Sequence, residues 1–136
     1  MDKEDAKLAL QTGAEAIIVS NHGGRQLDGA PSTISVLADI VDTVGDYIEV
    51  HFDGGIRSGQ DVLKALSVGA HGTYIGRPYV YGLAASGQSG VMNSIEIIRK
   101  ELDLSMAMCG EKNINDVGRH NLAKIPFDYG NYLNLI

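Results

Sequence analysis

The sequence predicts an α/β protein: part of a (β/α)8 TIM barrel, about three βα units plus helices at the C-terminal end of the chain. Three observations predict it. Apolar runs of strand length alternate at short spacing with runs of helical periodicity, which calls for a parallel sheet. Each of three apolar runs stops at Gly-rich polar punctuation: Ser20 to Asp28, Asp53 to Gly59, and Gly76-Arg77-Pro78. And those three loops, all at strand C-terminal ends, hold the residues suited to chemistry, which is where parallel barrels place their sites. A barrel closes with eight strands, so three would leave edges uncovered. The chain therefore reads as one partial barrel domain over 1–136, with a C-terminal tail at 112–136, or as a unit that must pair with something.

Each element follows in order. Residues 4–12 form a helix through Ala6, Leu8 and Ala9, with Gly13 where a C-terminal glycine cap belongs. The short apolar run 16–20 is a strand, and 21–30 a long polar loop. Ile34, Leu37, Ile40, Val41 and Val44 recur at three- and four-residue steps, giving a helix over 33–44 that Ser32 or Thr33 can cap. Tyr47 to Phe52 is the second strand. Val62, Leu63, Leu66 and Val68 mark a helix over 59–68, closed by Gly69. His71 to Ile75 is the third strand, followed by a short helix at 78–84 and a longer one at 88–108. The tail reads as a small helix near 113–119 and an extended or disordered end. Its late aromatics, Tyr129 to Tyr132, are expected to pack on the barrel or a neighbouring subunit. A helix-Gly-Ala-strand unit occurs twice, at Gly13-Ala14 and Gly69-Ala70, an echo of one βα unit.

Composition narrows the function. With 44% hydrophobic and 21% charged residues the chain is not of the disordered class. A formal charge of −6 and a pI near 5.0 give no support for a nucleic-acid surface. An anionic ligand would need local cations, and Arg25, Arg57 and Arg77 are the candidates. The single cysteine, Cys109, allows no internal disulfide, which favours a reducing, cytoplasmic setting. No leader and no membrane-length apolar run are visible, which leaves peripheral membrane attachment open. The four histidines show no metal-ligand spacing, so no metal is expected.

The first loop is the most specific. His22 and Arg25 are three residues apart, close enough to reach one small molecule. An imidazole can accept a proton near neutral pH. A guanidinium fork matches two carboxylate oxygens and keeps its charge. Gly23 and Gly24 permit tight turning and close ligand approach. Gly76-Arg77-Pro78 sits between a strand and a helix start, where backbone N–H groups and an arginine make an anion site.

At these residues the chain resembles the FMN-dependent α-hydroxy acid oxidase/dehydrogenase family, of the glycolate oxidase, lactate oxidase and L-lactate dehydrogenase type. Three motifs carry the resemblance in order: Ser20-Asn21-His22-Gly23-Gly24-Arg25-Gln26-Leu27-Asp28, Asp53-Gly54-Gly55-Ile56-Arg57-Ser58-Gly59, and Gly76-Arg77-Pro78. It spans roughly 4–128 and corresponds to the last three βα units of the family barrel. The resemblance implies FMN-dependent oxidation of a small L-2-hydroxy acid to a 2-oxo acid. His22 would be the base and Arg25 the carboxylate clamp. Ser20 would contact the flavin, Asp53, Gly54, Gly55, Ile56 and Arg57 would line the cofactor, and Gly76 and Arg77 would hold its phosphate. The electron acceptor, whether oxygen, a quinone or a cytochrome, is left open, and a homo-oligomer is expected at full length. The five earlier βα units have no counterpart here, so this segment alone is expected to bind FMN weakly or not at all.

Other readings stand beside this one. The second motif also occurs in phosphate- or nucleotide-binding barrels of the inosine-monophosphate dehydrogenase or isomerase type, and an inactive fragment is a third reading. Arg25 could pair with Asp28, and Asp53-Gly54-Gly55 could be a mere turn. His51 reads as structural or barrel-lining, His71 as structural, and His120 receives no role. Met92, Met106 and Met108 read as core, and Cys109 as a packing residue.

Overall fold

The computed structural model describes residues 1–123; the expected extended end with Tyr129 to Tyr132 lies outside the described residues. Strands β1 (Ala16–Ser20), β2 (Glu49–Asp53) and β3 (Gly72–Tyr74) form one parallel sheet in that order. The helices are α1 (Lys3–Gln11), α2 (Thr33–Val44), α3 (Gly59–Val68) and α4 (Arg77–Met108). They lie in chain order too: α1 packs on α2, α2 on α3, α3 on α4. A doubly wound sheet would reverse its strand order and use both faces. Here strand order and helix order advance together, as in a sector of a barrel.

Side chains alternate across each strand, and this sorts the sheet into two faces. Val19, Val50 and Phe52 turn toward the helices and join Leu37, Ile40 and Val44 in the core. The other face carries Ile18, Ser20, Glu49, His51, Asp53 and Tyr74. Ile18 on this face is 55% exposed and Tyr74 45%. Among the described residues β1 and β3 each have one ladder partner, so the expected open edges are present. His51 lines the inner face as expected: its Nε2 lies 3.0 Å from Glu49 Oε2, and its ring tilts against Tyr74. That hydrogen bond holds the Glu49 carboxyl below its ordinary value. His71 is structural, its Nδ1 accepting the Val50 N–H at 3.1 Å.

Local chemistry sets the boundaries. Asp2 caps α1 by accepting from the Glu4 amide at 2.7 Å. Gly69 ends α3 with φ +117°, in the left-handed region that favours glycine. Ser32 occupies the cap position of α2, but its side chain makes no cap bond. Tyr47, expected in β2, stands before it in a turn closed by its own amide to the Val44 carbonyl, and its ring is exposed. The expected helix at 113–119 is instead two short 3-10 turns, Ile114–Asp116 and Arg119–Asn121. Extended Val117 and Gly118 separate them. Met106 is buried, but Met92 and Met108 are exposed, so they are not core. Cys109 is exposed at the end of α4 and is not a packing residue.

The division of residues 78–108 into two helices is real. α4 consists of two arms broken at Ser86 (φ −151°) and Gly87 (φ +59°). The arms touch at Gly82 and Gly90. A Cβ on Gly90 would stand 1.8 Å from the Gly82 carbonyl oxygen, so no side chain fits there. The second arm packs on α3, where Gly59 gives its backbone N–H to Glu101 at 2.9 Å.

Candidate active site

The three strand ends open into one cleft of ≈ 550 Å³. β1 feeds it through a turn in which His22, Gly23 and Gly24 hold φ of +53°, +65° and +73°. Two glycines meet that need at no steric cost. His22 is the one non-glycine with positive φ among the described residues. The turn is closed by the Gly24 amide on the Asn21 carbonyl (3.0 Å) and the Arg25 amide on the His22 carbonyl (3.3 Å). His22, Gly23 and Arg25 thereby reach the cleft together.

β2 supplies Asp53, Gly54, Gly55, Ile56 and Arg57. Gly54 has φ +112°, and a Cβ there would come 2.7 Å from Thr33 Oγ1, so the turn requires glycine. Ile56 lines the cleft and is also buried in the core, anchoring the loop from beneath. Beyond it, the backbone enters α3 through a reciprocal cap. Ser58 Oγ accepts the Asp61 amide at 3.2 Å, and Asp61 Oδ2 accepts the Arg57 and Ser58 amides at 3.1 Å each. With Glu101 on the Gly59 amide, the Gly59 and Asp61 N–H groups in the first turn of α3 are occupied by the protein's own side chains.

β3 leads to a different helix start. Gly76 occupies the cap position of α4 and has no side chain to offer, and Pro78 lies in the first turn. Nothing lies within 4 Å of the Cβ position on Gly76. The amides at this N-terminus lack a side-chain cap, and the residues that carry them, Arg77 and Tyr79, line the cleft. Among the described residues Arg25, Arg57 and Arg77 form no ion pair, so the Arg25–Asp28 alternative does not hold. Three unneutralised guanidiniums and an uncapped helix start therefore meet in an otherwise acidic chain. That donor set fits a phosphate-bearing cofactor together with a carboxylate substrate.

Nine of the ten residues expected at a site line this cleft. Ser20 does not: its hydroxyl donates to Asp53 Oδ2 at 2.5 Å, one residue back from the lining. Sequence reasoning missed Tyr74, Tyr79 and Val80, which also line the cleft. Tyr74 was discoverable from the period-two alternation that puts it opposite Asp53. Tyr79 and Val80 carry no signal apart from following Gly76-Arg77-Pro78.

A sector of parallel barrel with three arginines and an uncapped helix start in one cleft at its strand C-termini defines the class: part of a barrel whose cleft donors suit an anionic group. Comparison with known proteins makes this particular. The family model described as FMN-dependent dehydrogenase matches residues 1–124. The chain belongs to the FMN-dependent dehydrogenase family, whose cofactor is FMN. It is 47% identical to 2-hydroxyacid oxidase 1 of Mus musculus over 123 residues, 90% of this chain and 33% of that protein. It is 50% identical to glycolate oxidase 1 of Oryza sativa subsp. indica, covering 88% of this chain and 32% of that one. L-lactate dehydrogenase of Caulobacter sp. (strain K31) is 48% identical over 91% of this chain and 33% of its own length. Among solved structures, mandelate oxidase with benzoyl-formic acid superposes with a TM-score of 0.83 at 46% identity, over 86% of this chain and 35% of that one. The chain thus spans about a third of the length of the curated relatives it matches. Among the described residues no helix is long and apolar enough to cross a membrane.

Proposed function

We propose that this chain forms the carboxylate-binding and phosphate-binding part of an FMN-dependent enzyme that oxidises a small L-2-hydroxy acid to the 2-oxo acid. One observation carries the reading: His22 and Arg25 share a cleft with Arg57, Arg77 and the uncapped start of α4. Bound FMN supplies a two-electron acceptor beside the substrate. The chain's own residues do the rest. Arg25 holds the substrate carboxylate through its planar fork, fixing which carbon faces His22. His22 takes the proton released as the hydroxyl-bearing carbon is oxidised. Arg77, Gly76 and the first amides of α4 would hold the cofactor phosphate, with Arg57 a further cation in the same cleft. Asp53, Gly54, Gly55 and Ile56 form the wall and floor between the two ends. The acceptor that reoxidises the flavin and the oligomeric assembly lie with the whole barrel.

Flavin fluorescence tests the phosphate end. Titration of the chain with FMN is expected to give weak, saturable quenching that Arg77→Ala abolishes. Equal quenching in both would remove the phosphate from α4. Oxidation of glycolate or lactate, with the remaining βα units supplied, tests the chemistry; loss on His22→Ala is expected.

A further inference from the structure

The family resemblance implies that Ser20 and Asp53 meet the cofactor, yet Ser20 is not among the residues that line the cleft. What it touches instead is the turn that carries His22. Ser20 and Asp53 are register partners across the β1–β2 ladder. The Ser20 hydroxyl donates to Asp53 Oδ2 at 2.5 Å, which commits its only proton. Its oxygen then accepts the His22 backbone N–H at 3.0 Å. That amide belongs to the residue with φ +53°, a conformation an L residue keeps only when its surroundings impose it.

We propose that Asp53 and Ser20 form a positioning relay for His22. The carboxylate orients the hydroxyl, and the hydroxyl fixes the backbone of the proposed base in its left-handed turn. Because Asp53 also lines the cleft, a ligand that engages its carboxylate bears on His22 through two hydrogen bonds. Cofactor loading and the setting of the base would thus be coupled through β1 and β2, without any contact between His22 and the cofactor phosphate. The kinetic consequence rests on the function proposed above; the structural one does not.

Two readouts separate them. Amide hydrogen exchange at His22, followed by NMR in the full chain, reads the relay directly. Ser20→Ala is expected to speed exchange by about tenfold, the loss of one net hydrogen bond. Ser20→Thr, which keeps the hydroxyl, is expected to restore the wild-type rate, and Asp53→Ala to give an intermediate one. In the flavin-saturated enzyme, Ser20→Ala should lower kcat by about tenfold while KM for the hydroxy acid changes less than about twofold, with Ser20→Thr recovering kcat. Unchanged His22 exchange in Ser20→Ala overturns the relay. So does a Ser20→Ala enzyme with weaker FMN binding and full kcat, since Ser20 would then be only a flavin contact. A wild-type enzyme inert toward 2-hydroxy acids would defeat the proposed function, while the exchange rates would still decide the relay.

Discussion

The starts of α3 and α4 make an informative pair. Both helices follow a strand end, both begin beside an arginine, and both border one cleft. The first turn of α3 is filled from within, by Ser58, Asp61 and Glu101. That of α4 begins at a glycine with no side chain to offer. Every helix start has donors that need partners. A protein that meets the need itself gains local stability. One that leaves it open keeps a place for an anion. The same local physics thus serves structure at α3 and ligand binding at α4.

Substitutions can break or sharpen this contrast. The largest effect is expected from Arg77→Ala, which should weaken FMN binding by ~10–100-fold, the cost of a charge-assisted hydrogen bond, with little change in Tm. Isothermal titration and a thermal melt together check it. Next is Gly76→Asp, which places a carboxylate in open space at the start of α4. It should give α4 an internal anion like that of α3 and weaken FMN by about tenfold through repulsion and competition for the amides. Asp61→Ala should do the converse. Loss of the α3 cap should cost ~1–2 kcal/mol in denaturant unfolding, with a smaller effect on FMN than Arg77→Ala. The smallest effect concerns the exposed pair on the second arm of α4, where Arg99 holds the Glu96 carboxyl down to about 2. Its ordinary value is 4.5, so the folded state favours the ionised form. Its contribution is present above the unfolded value and disappears as pH falls through the folded one. Glu96→Gln should therefore lower Tm slightly at pH 6, by no more than ~2 °C, and not at all near pH 1.5.

Much of this was legible in the sequence, for identifiable reasons. Helical periodicity and the glycines at 13 and 69 fixed α1 to α3, because those glycines hold a backbone that other residues resist. The break within α4 was legible for the same reason at Gly87. His22, Arg25, Arg57 and Arg77 were readable because loops at strand ends must point one way in a parallel sheet. The misses depend on register and packing. Tyr47 has strand character but falls before the ladder, which begins at Glu49. Tyr74 joins the cleft because it lies opposite Asp53, a fact of pairing rather than composition. Ser20 bonds Asp53 instead of lining the cleft itself. Met92 and Met108 follow a helical pattern but lie on a face that nothing described covers. Glu101 meets Gly59 across 42 residues, and no local pattern announces that.

The crossing of the two α4 arms has a further consequence. Gly82 and Gly90 are remote in sequence from His22, carry no side chain and do not line the cleft. Yet a methyl group at either would force apart the two arms, one of which begins at Arg77. In a saturation scan scored only by flavin retention, these two positions should tolerate as little as the arginine itself. A map of intolerance would then draw the functional footprint wider than the cleft, onto a spot that contributes nothing but the absence of atoms.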